Sequence, residues 1–336
     1  MFEITCNSFV QQFHLMISSK LQFCILFCIA FTFCSFTRIN TQTDSLAIKS
    51  KENSGNYKVV RYRPKFIGRL PETLHETSGL VFFSGQLWTM NDSGSPPEIF
   101  QIDTVTGGIL RKIVIGNAIN SDWESITHDD SNVYVGDFGN NYGNRKDLCI
   151  WKIKKSDLSD LANDTVRAGH IFFSYPDQTD FTSALNHNNF DCEAFFYHND
   201  SLHLFSKDWS DLQTKHYVLP SDTGVYKAKM VEKYNVDGLI TDAAINAKGN
   251  IVLLGYKNTG GKFWDCFCWL LETDSGNYIF NGRKTRVKLG SALHLGQSEG
   301  VALKNDDTGW ISAESILTGW LFRPAKLFRF DFTGFY

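Results

Sequence analysis

The pattern that decides the fold begins with Asp122-Trp123-Glu124-Ser125-Ile126-Thr127 and continues, thirteen residues after the glutamate, with Asp137 in Val135-Gly136-Asp137. In this pattern one predicted strand begins with an acidic, a small and an apolar residue, and the next predicted strand ends in polar residues. The same phrase recurs in copies whose first residues are Ser78, Glu124, Glu193, Asp242 and Glu299. The copies start 46, 69, 49 and 57 residues apart, near the period of propellers and other repeat arrays.

Further apolar runs follow each opening phrase at regular distances. A second run ends 13 or 14 residues after the first position of each copy, at Asn91, Asp137, Lys207, Tyr256 and Ala313. Third runs occupy residues 98–103, 148–153, 216–219, 266–271 and 326–331, and fourth runs occupy residues 109–114, 169–174, 225–230 and 283–288. The runs are short and rich in aromatic and β-branched residues, which favours strands. Four-stranded antiparallel units arranged around an axis form a β-propeller.

We therefore predict an all-β fold, a β-propeller of five four-stranded blades that spans residues 57–336. The fifth copy ends at Tyr336 without a fourth strand, and residues 58–67 offer the missing strand at the other end of the chain. We expect this N-terminal strand to complete the last blade and so fasten the ring. Six blades are the alternative, if the 69-residue interval hides a degenerate blade in residues 156–167 and 177–189. The interval holds only four strand-like runs, which favours an insertion.

The first 56 residues have a different composition. Residues 21–36 form one apolar run after Lys20, which fits the core of a secretory signal better than a membrane span. We assign residues 1–36 as a signal peptide, with Met16 as an alternative start, and the polar residues 37–56 as a disordered tether. The mature protein is then exported, to the periplasm, the outer surface or the medium, and has no membrane span. Cys34 is a candidate for a lipid anchor, but the bulky Phe33 before it favours simple export.

The overall composition excludes several classes of function. A formal net charge of -3 at pH 7, with scattered basic residues, gives no electrostatic surface for nucleic acid. The chain contains no H-E-x-x-H or P-loop motif. Beyond the signal region the cysteines are Cys149, Cys192, Cys266 and Cys268, and they lack the paired spacing of zinc ligands. We interpret them as buried free thiols, and we expect the protein to be a monomer.

The repeated acidic position is the first candidate site. The first strand of each propeller blade lines the central channel, so the repeated acids are predicted to surround one axis. They are Glu124, Glu193, Asp242 and Glu299. Asp122 and Asp191, two residues earlier on their strands, are expected one layer away. Converging carboxylates repel one another unless a cation is present, and oxygen-rich clusters suit Ca²⁺, so the four acids are a candidate calcium site. Alternatively, they accept hydrogen bonds from neighbouring strand N–H groups and only build the blades.

The loops after the second strands are the second candidate site, because their residues differ from blade to blade, as residues that serve one ligand should. The predicted ligand-binding residues are Asn91, Asp92, Asp137, Asn140, Asn141, Lys207, Asp208, Tyr256, Lys257 and Glu314. If the protein is an enzyme, the catalytic candidates are Asp137, Glu193, Lys207 and Asp208, which occur together on two successive blades. The alternative is structural, since Asn-Asp-Ser-Gly and Asp-Phe-Gly-Asn-Asn are also good turn sequences.

Five separated motifs resemble, in the same order, a group of exported β-propeller proteins that is frequent among the Bacteroidetes. They are residues 70–80 (LPETLHETSGL), 91–94 (NDSG), 122–126 (DWESI), 136–141 (GDFGNN) and 297–301 (QSEGV). The resemblance covers nearly the whole chain after the tether and implies a secreted or lipid-anchored propeller, but no activity. More distantly, the acid at the start of the inner strands is similar to that of calcium-binding lactonase and phytase-like propellers. The resemblance to those families implies a metal and a substrate at the channel mouth, although the predicted blade count differs from theirs.

Two functions of different classes follow from these observations. The one we favour is a binding protein that holds a ligand, a glycan or a protein at the mouth of the channel. The other is a calcium-dependent hydrolase of a phosphoester, a lactone or a glycoside that uses the carboxylates at the mouth. The sequence does not decide whether the protein is an enzyme.

Overall fold

The computed structural model describes residues 57–260, 264–273, 278–318 and 321–336. The predicted signal peptide, with Met16 and Cys34, and the predicted tether lie outside the described residues. Within the described ranges no helix has the length and apolarity needed to cross a bilayer. The described part of the chain is nearly all β, and the helices found there are one short helix, α1 (Ala292–Leu295), and single 3-10 turns at Glu72–Leu74 and Lys155–Asp157.

The strands are short and follow one another along the whole described chain. In order they are β1 (Lys58–Arg61), β2 (Lys65–Arg69), β3 (Thr77–Phe83), β4 (Gln86–Asn91), β5 (Glu98–Ile102), β6 (Ile109–Ile115), β7 (Trp123–His128), β8 (Asn132–Asp137), β9 (Cys149–Lys154), β10 (Asn163–Val166), β11 (Gly169–Ser174), β12 (Cys192–His198), β13 (Ser201–Ser206), β14 (Thr214–Pro220), β15 (Gly224–Lys227), β16 (Lys229–Tyr234), β17 (Leu239–Ile245), β18 (Ile251–Lys257), β19 (Asp265–Leu271), β20 (Lys284–Ser291), β21 (Gln297–Leu303), β22 (Thr308–Glu314), β23 (Ile316–Thr318), β24 (Leu321–Arg323) and β25 (Lys326–Asp331).

Five antiparallel sheets form the blades of a propeller, as predicted. From the inside outward, the blades are β3-β4-β5-β6, β7-β8-β9-β11, β12-β13-β14-β16, β17-β18-β19-β20 and β21-β22-β25-β2. The inner strands β3, β7, β12, β17 and β21 contact one another in that order, and β21 contacts β3. This closed ring of five excludes the six-blade alternative.

The N-terminal strand closes the ring, as predicted, but the predicted run of residues 58–67 is two strands. β2 pairs antiparallel with β25, so that Phe66 lies opposite Phe328, and it completes the fifth blade. β1 instead runs parallel to β20 at the outer edge of the fourth blade. Pro64 lies between the two strands. It lacks the N–H group that a continuous ladder would need.

Two other parallel strands cover blade edges in the same way. β10 lies within the interval where a sixth blade was the alternative, and it pairs with β6 of the first blade. β15 pairs with β11 of the second blade. The predicted strand 225–230 was therefore wrong, because its first half belongs to β15 and the fourth strand of the third blade is β16. A covered edge has no free ladder groups to pair with another chain.

The core consists of five apolar clusters, one between each pair of neighbouring blades. For example, Trp88 of the first blade and Trp123 of the second share one cluster, and Leu254 of the fourth blade and Ile311 of the fifth share another. Both faces of most blades are thus buried, which explains why the strands lack a strict apolar–polar alternation. The four cysteines after the signal region are buried and unbridged, as predicted.

Candidate functional site

A β-bulge interrupts every inner strand at the same place, where its register with the second strand shifts by one residue. The extra residues at the bulges are Gly79, Glu124, Glu193, Thr241 and Glu299. A bulge leaves one residue unpaired and re-aims its side chain. The alignment of Asp242 with the three glutamates was therefore wrong by one residue, because Thr241 holds the bulge position in the fourth blade.

Three of the bulged residues, Glu124, Glu193 and Glu299, line a cavity of about 180 Å³ at the end of the ring where the inner strands begin. Eight of the sequence-predicted site residues line it: Asp92, Glu124, Asn141, Glu193, Lys207, Tyr256, Glu299 and Glu314. Four residues that the sequence analysis did not assign to the site complete the lining: Ser78, Trp209, Trp264 and Gln297. The inner strands and the loops after the second strands thus meet in one site, as expected of a channel mouth.

Three carboxyl groups lie together on one side of the cavity. Oxygen atoms of Asp92, Asp122 and Glu124 are all within 4.8 Å of one another. Burial, reinforced by the neighbouring carboxylates of Asp92 and Asp191, raises the pKa of Asp122 to about 7. Burial and the charges of Asp92 and Glu193 raise the pKa of Glu124 well above its ordinary value.

Glu124 and Asp122 approach so closely because a glycine faces them. A Cβ atom on Gly139 would lie 2.1 Å from Oε1 of Glu124 and 2.5 Å from Oδ2 of Asp122. Oε1 of Glu124 is buried and has no hydrogen-bond partner among the described residues. Buried acceptors are nearly always hydrogen-bonded, so this atom needs an explanation.

The cavity also holds an ion pair that lies beside aromatic rings. Nζ of Lys207 lies 3.0 Å from Oε1 of Glu193, and both side chains are buried. The same ammonium lies 5.0 Å from the ring centre of Trp209 and 5.3 Å from that of Tyr256. Burial lowers the pKa of Lys207, but Glu193, Tyr256 and Glu299 outweigh this effect and hold the pKa well above its usual range. Lys207 therefore stays charged. Tyr256 in turn stacks on Trp264, with ring centres 4.4 Å apart.

Two further glutamates extend the acidic wall on the fifth blade. Glu299 accepts a hydrogen bond of 2.6 Å from Nε2 of Gln297. Burial raises the pKa of Glu299 to about 7, although Lys207 and Gln297 oppose the shift. Burial, reinforced by Glu299 and Asp92, also raises the pKa of Glu314 well above its ordinary value. The carboxyl groups of the cavity thus hold protons near neutral pH, because burial and their mutual repulsion outweigh the charge of Lys207.

Asp242 lies away from the cavity and connects the blades. Its Oδ2 accepts hydrogen bonds from the backbone N–H groups of Leu80 (3.3 Å) and Val301 (2.7 Å). Its Oδ1 accepts one from Oγ of Ser125 at 2.5 Å. Asp242 is fully buried, and burial raises its pKa to about 8. The structure thus separates Asp242 from the other three predicted metal ligands and gives it the blade-building role that the sequence left open.

Asp137 and Asn140 organise the loop after β8 and do not line the cavity. Arg145 donates to Oδ1 of Asp137 at 2.9 Å and to the backbone carbonyl of Gly139 at 2.9 Å. Asn140 donates to the carbonyl of Phe190 and accepts from the N–H of Arg145. Arg145 is the partner that sequence reasoning missed, and the loop it holds presents Gly139 to the acidic cluster.

The remaining predicted residues also have structural partners outside the cavity. Asn91 donates to the carbonyl of Thr73 at 2.7 Å. Asp208 is buried and accepts from Oγ of Ser206 at 2.6 Å. Lys257 pairs with Asp237 at the protein surface. Of the four predicted catalytic residues, the structure therefore brings only Glu193 and Lys207 together.

Some of the missed residues carry a signal in the sequence. Gln297 lies two residues before Glu299 on β21, and Trp209 lies two residues after Lys207 in the loop that follows β13. Asp122 precedes Glu124 by two residues, but the bulge brings its carboxyl group beside that of Glu124 instead of one layer away. Asp191, which was also expected one layer away, accepts from Nε1 of Trp209 at 2.7 Å and so fixes that ring.

No family model matches the sequence, and a search of curated proteins returns no match. Several solved structures are remotely similar. A β-1,3-galactosidase of glycoside hydrolase family 43, solved with galactodeoxynojirimycin, is 11% identical with a TM-score of 0.44, over 80% of this chain and 94% of that chain. A candidate gluconolactonase is 11% identical with a TM-score of 0.38, over 78% and 76%. A protein of unknown function from Bacteroides caccae is 11% identical with a TM-score of 0.37, over 70% and 69%. Likenesses this remote assign neither a family nor a substrate to this chain.

Proposed function

We propose that this chain is an exported binding protein that takes a small polar ligand, or one unit of a glycan or peptide, into the cavity at the channel mouth. The observation that carries the proposal is the composition of that cavity. Its walls combine carboxyl groups with the rings of Trp209, Tyr256 and Trp264. Export rests on the apolar run of residues 21–36 and the polar residues that follow it.

The size and chemistry of the cavity suit a small ligand. Its volume of about 180 Å³ is below the usual range for drug-sized ligands, roughly 300–1,000 Å³. Aromatic faces provide contact area, and carboxyl oxygens accept hydrogen bonds, so the walls can both stack on a ligand and orient it. The residues differ between blades, which a single asymmetric ligand requires.

Binding is favoured over catalysis because the predicted catalytic set is not assembled. Asp137 pairs with Arg145, and Asp208 bonds to Ser206 outside the cavity. Glu193 and Lys207 do contact each other in the cavity, but they form an ion pair in which each group neutralises the charge of the other. A general base must lie within reach of a substrate proton, and Asp137 and Asp208 do not line the cavity.

Replacing Trp264 with alanine is expected to weaken binding at least about tenfold, since a ring that packs on a ligand contributes on the order of 1–3 kcal/mol. The test is a thermal-shift screen of the purified protein against monosaccharides, alkylamines and capped tripeptides, followed by calorimetry with each hit. Trp151→Ala is the matched control, because Trp151 is a half-buried tryptophan on β9 outside the cavity. If the Trp264→Ala and Trp151→Ala variants bind a hit with equal affinity, the binding site of that hit lies outside the cavity. A screen without hits would count against the proposal.

A calcium-dependent hydrolase of a phosphoester, a lactone or a glycoside is the second candidate. The observation that favours it is the group of Asp92, Asp122 and Glu124, whose oxygen atoms lie within 4.8 Å of one another. Carboxylate oxygens are the ligands that Ca²⁺ prefers, and the unpartnered Oε1 of Glu124 leaves an acceptor for it. These three residues would hold the ion, which would supply a Lewis acid for a carbonyl or phosphoryl oxygen.

Calcium binding predicts a stabilisation that depends on pH. At a hundredfold excess over Kd, Ca²⁺ would raise the free energy of unfolding by about 2.7 kcal/mol. Because the pKa of Asp122 is about 7 and that of Glu124 is also raised, protons compete with the ion, so the stabilisation should be larger at pH 8 than at pH 6. Thermal melts in calcium and in chelator measure the effect, with Glu124→Gln as the variant that should lose it. Equal melting temperatures in calcium and in chelator, at pH 6 and at pH 8, would remove the second candidate.

A further inference from the structure

The cavity has a surplus of acidic groups over cations. Five carboxyl groups line it, those of Asp92, Glu124, Glu193, Glu299 and Glu314, and Asp122 adjoins the first two. Among the described residues of the lining, Lys207 is the only cation, and its nearest partner is Glu193. Lys207 also acts on Asp92, and Arg145 acts on Asp122 from outside the cavity. Six carboxyl groups are thus set against two cations, so acceptors around Glu124 remain in excess of positive charge.

Glu124 gives the most specific evidence, because one of its carboxyl oxygens lacks a hydrogen-bond donor. Its side chain is 3% exposed and lines the cavity, and its Oε1 has no hydrogen-bond partner in the described part of the chain. Asp191 has a comparable burial, but it accepts from Nε1 of Trp209 and from the N–H of Asn140. A buried acceptor without a donor destabilises the structure, and a ligand that supplies the donor removes that cost.

The aromatic walls show how the cavity holds a positive charge. The protein's own Lys207 ammonium lies within about 5 Å of the rings of Trp209 and Tyr256 while it pairs with Glu193. Aromatic faces attract cations that approach within about 6 Å of the ring centre. Trp264 is stacked on Tyr256 and lines the same cavity, so a second cation would find both a carboxylate and an aromatic surface there.

We infer that the ligand of this cavity is an organic cation whose charged group carries N–H donors, a primary ammonium or a guanidinium, bound at Glu124 beside Asp92 and Asp122. This inference rests on the proposed binding function and specifies its ligand. An N–H donor is required because a bound cation favours the ionised form of these carboxyl groups, and ionised carboxylates only accept hydrogen bonds. A guanidinium can also bond two carboxylate oxygens at once and stack on an aromatic face. A quaternary ammonium lacks the donor, and a bare metal ion makes no use of the aromatic walls.

The same cation can come from a small molecule or from a lysine or arginine side chain of a partner protein. The cavity of about 180 Å³ admits the end of such a side chain or a short alkylamine. Both sources present the same group to Glu124, so the chemistry of recognition is shared. The experiment below separates them by size.

The test is calorimetry with n-butylammonium and methylguanidinium, against their neutral counterparts n-butanol and methylurea. We expect both cations to bind and both neutral molecules to bind at least about tenfold more weakly, the effect of one charge-assisted hydrogen bond.

Glu124→Gln, which keeps the shape of the side chain, should weaken cation binding at least about tenfold. Glu98→Gln is the matched control, since Glu98 is a partly buried glutamate on the first blade that pairs with Lys112 outside the cavity. End-capped Gly-Arg-Gly and Gly-Lys-Gly, compared with Gly-Gln-Gly, test the side-chain source.

A Gly139→Ala variant gives a second reading if Glu124→Gln folds poorly. The added Cβ must displace the carboxyl groups of Glu124 and Asp122, so it should weaken the binding of both cations although the charge of the protein is unchanged. Equal binding of cations and neutral counterparts, or unchanged cation binding in both variants, would overturn the inference. If neither cation binds while a neutral sugar binds and loses affinity in Trp264→Ala, the inference about the cation is overturned but the proposed binding function stands. Calcium that binds through Glu124 while both organic cations fail would also overturn it, in favour of a metal site. If no probe binds, both proposals fall.

Discussion

Replacing Asp242 with alanine is expected to lower the free energy of unfolding by at least about 3 kcal/mol, which corresponds to roughly 5 °C in the melting temperature of a domain of this size. The carboxyl group belongs to the fourth blade and accepts from Leu80 of the first blade, Ser125 of the second and Val301 of the fifth. Alanine would leave three buried donors unsatisfied at the centre of the ring. Each of them costs about 1–3 kcal/mol.

The matched control is Asp242→Asn, because burial raises the pKa of Asp242 to about 8 and the native group is therefore largely neutral at pH 7. The asparagine oxygen can accept from the two backbone N–H groups, and its amide can donate to Ser125. Calorimetry at pH 7 should place Asp242→Asn close to the wild type. If Asp242→Ala also melts within 1–2 °C of the wild type, roughly, the carboxyl group does not hold the blades together.

The same carboxyl group predicts how stability varies with pH. Its folded pKa of about 8 is above the unfolded value of about 3.9, so the folded state keeps the proton in the window between them. The contribution to stability is fully present below pH 4 and is lost as the pH rises towards 8. Asp242→Asn should show a weaker decline across this window. A parallel decline in both proteins would assign the effect to the carboxyl groups of the cavity instead.

Replacing Lys207 with methionine is expected to lower the free energy of unfolding by about 3–5 kcal/mol at pH 8, since breaking a buried ion pair from one side leaves an uncompensated charge. Glu193 would lose the cation 3.0 Å away, and Glu299 would lose the charge that opposes its raised pKa. Chemical unfolding at pH 8 measures the loss. Methionine keeps the length and the aromatic contacts of the side chain, so the loss reports the charge.

Two comparisons make the Lys207 prediction specific. Lys257→Ala removes a lysine that pairs with Asp237 at the surface, and such pairs contribute only about 0–1 kcal/mol. At pH 5 the loss in Lys207→Met should be smaller, because protonation of Glu193 and Glu299 removes the unpaired charge that destabilises the variant. A loss of equal size at pH 5 and pH 8 would mean that packing, not charge, explains the effect.

Much of the fold and part of the site could be predicted from the sequence. Five copies of one phrase predicted five blades, and the incomplete fifth copy predicted that a strand in residues 58–67 would close the ring. The residues after the second strands were found because they vary within a regular repeat. Asp92, Asn141, Lys207 and Tyr256 do line the cavity. Arg145 and Trp264 could not be found in this way, because each lies outside the repeated phrase.

The sequence by itself determined the repeat, since its period and apolar runs survive in any tertiary arrangement. Only the tertiary structure decided which acid of each copy faces the cavity. A one-residue bulge moves a side chain to the other face of a strand, and nothing in the phrase beginning at Glu124 marks where the bulge lies. The bulge falls on Glu124, Glu193 and Glu299 but on Thr241 in the fourth blade. That shift turns Asp242 into the connection between blades and leaves Glu124 as the unsatisfied acid of the cavity.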